Sequence, residues 1–270
     1  MTDTPKLSNP LAVITGASSG LGKTYAEVLA AEGFDLLLVA RREPLLLEIK
    51  AELESAHDVK VEIAKVDLAD ESQTISLADR LVNLDRIDLL INNAGFGAGR
   101  AFSNTEIQRQ IDMVRVHVEA PMRLTRAVLP SMLKNGSGGI INVASVAGFL
   151  HGDEGAAYFS TKAALISFSR SLHAEVARHG LQVQALCPGF VYTGFHDTPE
   201  MSYFDRKIFP KFLWLQAKPI IRASLRRLRR NGGVVYIPTL RYKIITAFLR
   251  RPIGSLFLKK ASKDAEEDEG

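Results

Sequence analysis

The chain is poor in cysteine and tryptophan, with one of each among its 270 residues. A single cysteine, Cys187, excludes an intramolecular disulfide framework and is compatible with a reducing compartment. No uninterrupted run of about 18 apolar residues is present, so the sequence predicts no transmembrane helix. Residues 1–10 are polar and lead directly into a strand-like run, without the pattern of a signal peptide. We therefore expect a cytosolic protein.

Acidic side chains are absent from one long stretch of the sequence. Residues 206–263 contain 16 of the 34 lysines and arginines and no aspartate or glutamate. A mildly acidic body is thus followed by a strongly basic C-terminal region, and charge of one sign attracts anions or anionic membranes. No base-stacking or groove-reading module accompanies this charge, so we do not expect nucleic-acid binding.

Short apolar runs alternate with amphipathic stretches of helical length. The predicted strands are 11–15, 35–40, 59–67, 87–92, 139–145, 181–189 and 234–238. The predicted helices are 22–32, 44–54, 71–83, 106–134 (one long helix, or a pair kinked at Pro121), 155–179 and 217–230. This alternation predicts an α/β fold with a single doubly wound parallel sheet, Rossmann-like, with helices on both faces. Without linkers or repeats, residues 1–270 are predicted to form one domain.

A glycine-rich turn follows the first predicted strand. Its sequence, TGASSGLG, spans residues 15–22 and leads directly into a predicted helix. Glycines permit a tight turn and close approach of the backbone to a pyrophosphate, which the N–H groups at the helix start then bind. The context favours a dinucleotide site; a plain glycine-rich loop between strand and helix is the alternative.

The second predicted strand ends at Ala40 and is followed by Arg41 and Arg42, without a carboxylate. NAD-binding proteins of this fold commonly place an acidic residue there for the ribose 2′-hydroxyl. Guanidinium groups instead bind a 2′-phosphate, so Arg41, assisted by Arg42, predicts NADP(H); a solvated surface pair is the alternative. Asp67, which ends the third predicted strand, either accepts a hydrogen bond from the adenine amino group or caps the following turn.

Tyr158 and Lys162 lie four residues apart in the predicted helix 155–179 and share one face of it. An ammonium about 4 Å from the phenol, at an effective dielectric near 20, stabilises the phenolate by about 4 kcal/mol. This would lower the phenol pKa from about 10 towards about 7, while burial opposes the change. Ser145 ends the fifth predicted strand, at the sheet edge where ligands bind. Each feature alone is common on surfaces or at helix caps; their combination predicts a proton-transfer site.

Five features together resemble the short-chain dehydrogenases/reductases. They are TGASSGLG at 15–22, NNAG at 92–95, Ser145, YFSTK at 158–162 and PGFVYT at 188–193, with the usual thirteen-residue step from Ser145 to Tyr158. The resemblance covers residues 10–195. It implies an oxidoreductase that interconverts a carbonyl and an alcohol with NADP(H).

The resemblance also implies a role for each matching residue. Tyr158 is the general acid in reduction and the base in oxidation, Lys162 lowers its pKa and holds the nicotinamide ribose, and Ser145 positions the substrate oxygen. The residues implied to line the cofactor, in addition to Arg41 and Arg42, are Gly16, Ser18, Ser19, Gly20, Leu21, Gly22, Asp67, Leu68, Asn93, Ala94, Gly95, Pro188, Gly189, Val191 and Thr193. No metal ion belongs to the implied site.

One position departs from the family pattern. Members usually have an asparagine in the long helix after NNAG, and counting back four residues from Pro121 places His117 there. That asparagine helps to hold a water molecule that connects the lysine with solvent. Histidine donates and accepts hydrogen bonds, so His117 either takes part in a proton relay or is a packed helix residue beside a relay of backbone and water.

The C-terminal region is interpreted as a substrate lid and a basic extension, residues 195–270. The lid, 195–215, is rich in aromatic residues, namely Phe195, Tyr203, Phe204, Phe209, Phe212 and Trp214. These suit an apolar or long-chain substrate, or a lid that packs its own rings. A looser similarity to ketoacyl and hydroxysteroid reductases involves Trp214, Ala217, Arg222 and Pro238. Residues 239–260 either contact an anionic membrane or pack on the body or a partner subunit.

Two further expectations rest on the resemblance. Helices 106–134 and 155–179 commonly form subunit contacts in this family, so we expect a homodimer or homotetramer. Two alternative functions stay open: a non-redox reaction on the same scaffold, such as epimerisation or dehydration, and a non-catalytic NADP(H)-binding sensor or scaffold.

Overall fold

The computed structural model describes residues 9–97, 101–151, 154–197, 206 and 209–249. Within them, seven parallel strands form one sheet in the order β3-β2-β1-β4-β5-β6-β7. The strands are β1 Leu11–Thr15, β2 Asp35–Ala40, β3 Val61–Lys65, β4 Leu89–Asn92, β5 Gly138–Val143, β6 Leu181–Leu186 and β7 Val235–Tyr236. The strand order reverses between β1 and β4, which confirms the predicted doubly wound sheet.

Helices cover both faces of this sheet. In the described part of the chain they are α1 Gly20–Ala30, α2 Glu43–Ala56, α3 Glu71–Val82, α4 Ile107–Val114, α5 Ala120–Asn135, α6 Ala156–Val176, α7 Ala217–Arg229 and α8 Leu240–Leu249. Alternate residues of β1 belong to different cores: Ala12 and Ile14 face one core and Val13 the other. A strand buried on both faces reads as a continuous apolar run, which is why LAVIT shows no alternation.

Five strands are shorter than predicted, including 87–92, observed as Leu89–Asn92, and 234–238, observed as Val235–Tyr236. For the other three, the backbone after the last strand residue takes other partners or lacks a donor. The predicted strand 59–67 ends at Lys65, and the N–H of Asp67 donates to the Gln73 side chain. The predicted strand 181–189 ends at Leu186, two residues before Pro188, which has no N–H to donate. The predicted strand 139–145 ends at Val143, after which a short 3₁₀ turn occupies Val146–Phe149.

The long segment 106–134 is interrupted, as one of the two alternatives predicted. A π-helical turn, Arg115–Glu119, separates α4 from α5 immediately before Pro121. Proline lacks the N–H that would bond the carbonyl of His117 four residues earlier, and its ring would collide with that carbonyl. The wider π turn relieves this conflict and fixes the position of His117.

The described part of the segment 239–260 forms helix α8, and residues 250–260 lie outside the described residues. The inner face of α8 packs on the body through Tyr242 and Thr246, both buried. Its outer face exposes Leu240, Ile244 and Phe248 at four-residue intervals. Among the described helices, none is long and apolar enough to span a membrane.

Candidate active site

The predicted motifs meet at the carboxyl ends of the central strands. The turn 15–22 follows β1, NNAG begins at the last residue of β4, Ser145 lies two residues after β5, and the loop 188–193 follows β6. Parallel strands end at one edge of the sheet, so all four stretches lie around the reversal between β1 and β4. Ligands of doubly wound sheets bind in the crevice at that point.

The turn 15–22 has a shape that requires glycine. Gly16 and Gly20 have φ of +65° and +59°, in the left-handed region that disfavours side chains. A Cβ at Gly22 would collide with the carbonyl oxygen of Gly16, and a Cβ at Gly20 would lie 3.4 Å from the Thr193 side chain. Glycine therefore holds the backbone in a tight turn at the start of α1, the kind of turn that suits a pyrophosphate.

Thr15 and Asn93 join the ends of β1 and β4. The Thr15 hydroxyl accepts hydrogen bonds from the N–H groups of Asn93 (2.9 Å) and Ala94 (3.0 Å). The Asn93 side chain donates to the carbonyls of Thr15 (3.0 Å) and Gly16 (3.3 Å). These bonds tie the end of β4 to the start of the glycine-rich turn.

The two arginines after β2 have different surroundings. Arg42 lies over the glycine-rich turn, where its Nη2 donates to the hydroxyls of Ser18 (2.9 Å) and Ser19 (2.7 Å). Arg41 is 66% exposed and forms an ion pair with Asp67 at 3.6 Å. Arg41 is the residue predicted first for the 2′-phosphate, whereas it is Arg42 that the structure brings to the glycine-rich turn.

Asp67 and Leu68 lie beyond the end of β3. One carboxylate oxygen of Asp67 accepts a hydrogen bond from the N–H of Ala69 at 3.0 Å, as the turn-capping alternative predicts. The other faces Arg41. The Leu68 side chain is buried in the core that also contains Val13. Only the backbone of Leu68 therefore faces the edge of the sheet where the motifs meet.

Lys162 is the buried cation of the site. Its side chain is 5% exposed, and its ammonium donates to the carbonyl of Val143 at 3.0 Å. The same nitrogen lies 5.6 Å from the centre of the Tyr158 ring. Burial lowers the pKa of the Lys162 ammonium to about 8, so it remains largely charged at neutral pH. A positive charge is thus fixed beside the tyrosine, as the spacing predicts.

Ser145 begins the 3₁₀ turn and also caps it. Its hydroxyl oxygen accepts a hydrogen bond from the N–H of Ala147 at 3.1 Å, so the hydroxyl can still donate its own proton. This turn packs closely on α6, because a Cβ at Gly148 would lie 2.7 Å from the carbonyl carbon of Lys162. The N–H of Val146 donates to the carbonyl of Pro188 at 3.0 Å. The turn Val146–Phe149 is therefore held against both helix α6 and the loop 188–193.

His117 is buried with both ring nitrogens engaged. Its Nε2 accepts a hydrogen bond from the N–H of Phe96 at 3.1 Å, and Nδ1 lies 3.0 Å from the Thr161 hydroxyl. Burial, and secondarily the charge of Lys162, hold the pKa of His117 well below its usual value, so the ring is neutral. With Nε2 as acceptor, the proton is assigned to Nδ1, which donates to Thr161.

The hydrogen bonds that start at His117 continue to helix α6. Thr161 donates to the carbonyl of Tyr158 at 2.9 Å. His117 thereby joins the backbone after NNAG to the turn of α6 that bears Tyr158. This arrangement favours the packed-residue alternative over a proton relay.

The lid residues within the described chain pack largely on one another and on the loop 188–193. Trp214 stacks on Phe190 (5.3 Å between ring centres) and Tyr192 (5.1 Å), and Phe209 contacts Phe190 at 4.5 Å. Phe195 instead lies 6.4 Å from the Tyr158 ring. Phe212 is exposed, and Tyr203 and Phe204 lie outside the described residues.

Three residues of this region were not predicted as site residues: Thr15, Thr161 and Tyr242. Thr15 and Thr161 lie inside the motifs TGASSGLG (15–22) and YFSTK (158–162), and these motifs were the available signal. Tyr242 packs against Gly189, more than fifty residues away in the chain, and no local pattern marks it.

This geometry defines a class of protein: an α/β oxidoreductase with a nicotinamide-dinucleotide crevice and a tyrosine–lysine pair. The family model described as short chain dehydrogenase matches residues 10–201. The chain belongs to the short-chain dehydrogenase/reductase family, as the sequence motifs predicted.

Individual relatives agree with this assignment. An uncharacterized oxidoreductase of Staphylococcus saprophyticus is 34% identical over 230 residues, covering 85% of this chain and 95% of the relative. A very-long-chain 3-oxoacyl-CoA reductase of Phaeosphaeria nodorum is 30% identical over 270 residues, covering 95% and 76%. A short-chain dehydrogenase of Sphingobium yanoikuyae, solved in complex with NADPH, is 33% identical with a TM-score of 0.79, covering 86% and 88%.

Proposed function

We propose that this oxidoreductase uses NADP(H) to interconvert a carbonyl and an alcohol, with Tyr158 as general acid and base. The observation that carries the proposal is the buried ammonium of Lys162 beside the Tyr158 ring. A buried lysine costs folding free energy, and among the described residues its ammonium makes one hydrogen bond, to Val143. A role for the ammonium in proton transfer at Tyr158 explains why a lysine is kept at this buried position.

The residues at the crevice fit a nicotinamide dinucleotide. Gly16 and Gly20 supply the left-handed backbone of the turn 15–22, and Gly22 lets the start of α1 pack closely against it, the kind of turn that suits a pyrophosphate. The remaining donors of Lys162 suit ribose hydroxyls. When bound, the nicotinamide supplies or accepts the hydride. In the reducing direction the Tyr158 hydroxyl gives its proton to the substrate oxygen, and the charge of Lys162 stabilises the resulting phenolate. Ser145 donates its hydroxyl proton in a hydrogen bond to the same oxygen.

The preference for the phosphorylated cofactor is assigned to Arg42, with Arg41 assisting. Arg42 and two serine hydroxyls form a cluster of donors at the turn 15–22, which suits a 2′-phosphate. The Sphingobium relative was solved with NADPH, which supports the same choice.

The substrate is proposed to be an apolar or long-chain carbonyl compound. Phe195, an apolar residue of the lid, lies 6.4 Å from the Tyr158 ring between ring centres. The relative from Phaeosphaeria is named for a very-long-chain 3-oxoacyl-CoA substrate, which supports this class.

The test is NADPH oxidation measured across a panel of ketones, aldehydes and 3-oxoacyl thioesters of increasing chain length. We expect at least one apolar substrate to be reduced, and Tyr158→Phe to lose about 100-fold or more in turnover, the usual contribution of a general acid. NADPH affinity of that variant should stay within about two-fold of wild type. Tyr192→Phe, at an exposed tyrosine of the loop 188–193, is the control and should retain activity.

Three results would contradict the proposal. Unchanged turnover in Tyr158→Phe would exclude the tyrosine mechanism, and NADPH binding without turnover of any panel member would favour a sensor or scaffold. Isotope exchange without net NADPH consumption would instead indicate a non-redox reaction on the same scaffold.

We also propose a homodimer or homotetramer whose subunits contact one another along α4 and α5. Ile107, Ile111, Val114 and Met122 form a stripe along these helices and are between 41% and 64% exposed. Such a continuous apolar stripe is typical of a subunit contact. Sedimentation should give a dimer or tetramer for wild type and smaller species for Ile111→Glu; an unchanged distribution would contradict this interface.

For the outer face of α8 we propose peripheral contact with an anionic membrane surface. The exposed Leu240, Ile244 and Phe248 are accompanied by Lys243 on the same face. Flotation with anionic and neutral liposomes should recover wild type on the anionic ones alone, and Phe248→Ser should weaken recovery. No flotation of wild type would contradict the proposal.

A further inference from the structure

Tyr242 of helix α8 reaches from the C-terminal part of the chain into the active-site edge of the sheet. Its side chain is 3% exposed, and its hydroxyl accepts a hydrogen bond from the N–H of Phe190 at 2.9 Å. The same hydroxyl donates to the carbonyl of Leu213 at 2.7 Å. Burial raises the pKa of Tyr242, so the hydroxyl keeps its proton and remains a donor.

The Tyr242 ring occupies the space that a side chain at position 189 would need. A Cβ added to Gly189 would overlap the ring of Tyr242. Gly189 belongs to the loop 188–193, whose first residue is bonded to the Ser145 turn. Tyr242 therefore touches the loop twice, by its ring at Gly189 and by its hydroxyl at Phe190.

The hydroxyl also completes the pairing between the loop and the lid. Leu215 donates its N–H to the carbonyl of Phe190 at 2.9 Å, and Tyr192 donates its N–H to the carbonyl of Leu215 at 2.9 Å. Tyr242 adds a bridge from Phe190 to Leu213 at the end of this short ladder. Three backbone segments, from the loop, the lid and α8, are thus joined through one phenol.

We propose that Tyr242 is a positioning residue for the active site, which holds the loop 188–193 in the geometry that receives the cofactor. The loop lies against the glycine-rich turn, since Thr193 is next to Gly20. Release of Phe190 from α8 therefore loosens the wall of the crevice rather than a distant surface. We call the contacts of Tyr242 with Gly189, Phe190 and Leu213 the Tyr242 clamp. The identity of the ligand rests on the proposed function, whereas the clamp does not.

The chain contains a built-in probe of this clamp. Trp214 is its single tryptophan, is buried, and follows directly after the Leu213 carbonyl that Tyr242 bonds. Without cofactor, Tyr242→Phe should increase acrylamide quenching of Trp214 fluorescence and shift its emission to longer wavelength. Tyr25→Phe is the matched control, because Tyr25 is equally buried and its hydroxyl bonds Ser224 of α7 at 3.2 Å.

A second measurement follows NADPH affinity by titration. We expect Tyr242→Phe to raise the dissociation constant by about 2- to 12-fold, the range that corresponds to one lost hydrogen bond. Tyr25→Phe should stay within about two-fold of wild type, although it loses a buried hydrogen bond of the same kind. A general loss of stability would affect both variants alike, so the contrast isolates positioning.

Gly189→Ala approaches the clamp from the loop side and covers the case in which Tyr242→Phe fails to fold. The added methyl group would displace the ring and should produce the same increase in Trp214 quenching. Quenching and affinity at wild-type values in either folded variant would overturn the proposal. If wild type fails to bind NADPH, the proposed function is refuted, while the quenching comparison still decides the role of Tyr242.

Discussion

Lys162 should reduce the stability of the fold that contains it. Its folded-state pKa lies near 8 against 10.5 for the free group, because burial disfavours the ammonium. The unfolded chain therefore binds the proton more tightly than the folded one. This penalty is fully present below about pH 8 and fades as the pH rises from 8 to 10.5. A pKa difference of this size corresponds to about 3 kcal/mol at pH 7.

Lys162→Met removes the charge and keeps an unbranched side chain of similar length. We expect its free energy of unfolding to exceed that of wild type by about 3 kcal/mol at pH 7 and by about 1 kcal/mol at pH 10. Urea denaturation followed by circular dichroism at both pH values measures the difference. Lys60→Met, at an exposed position, is the control and should differ from wild type by less than about 0.5 kcal/mol.

Two outcomes would refute this reasoning. Destabilisation by Lys162→Met at pH 7 would mean that the Val143 hydrogen bond outweighs the cost of burial. A stability gain that is equal at pH 7 and pH 10 would assign the effect to packing rather than to charge. Turnover should be lost in either case, since the proposed mechanism needs the ammonium.

Three further predictions concern neighbouring residues. Arg42→Ala should lower the preference for NADPH over NADH by about 10- to 100-fold, the effect of losing charge-assisted hydrogen bonds, and Arg41→Ala should lower it less; equal dissociation constants for NADPH in wild type and Arg42→Ala would contradict this. His117→Asn should leave the shape of the pH–rate profile unchanged, because the ring is neutral throughout; a displaced pH optimum would restore the relay. Gly95→Ala places a Cβ 2.8 Å from Nε2 of His117 and should lower the free energy of unfolding, measured by urea denaturation, by about 1–3 kcal/mol. In the His117→Asn background the same substitution should cost less. If the two substitutions are additive in the double mutant, the contact is contradicted.

The fold was predictable because its signals are local. Buried parallel strands such as LAVIT and DLLLVA are continuous apolar runs, and each is separated from the next by a helix-length stretch. Strand ends were less predictable, since they depend on where single donors go, as with Asp67 and the Gln73 side chain. Helix α8 was not distinguished from a membrane-surface segment because its outer face is apolar too.

In the candidate site, too, the features that depend on contiguous residues were predictable, and those that depend on distant contacts were not. Contiguous motifs brought Gly16, Ser145, Tyr158 and Lys162 to the crevice, and their individual roles stay predictions. The sequence did not show which of Arg41 and Arg42 contacts the glycine-rich turn. Successive residues after a strand point in different directions, and the backbone conformation after β2 decides which side chain faces the turn. The partners of His117 come from 21 and 44 residues away, beyond any local pattern.

Gly189 and Tyr242 have a consequence for how such a chain can vary over evolution. Since a side chain at position 189 and a ring at position 242 require the same volume, a substitution at one position is tolerated only after the other has shrunk. Sequences with a residue larger than glycine at 189 should therefore have a small side chain at 242, and should hold the loop 188–193 by another contact. The two positions, one in the loop 188–193 and one in helix α8, would then be replaced together in evolution.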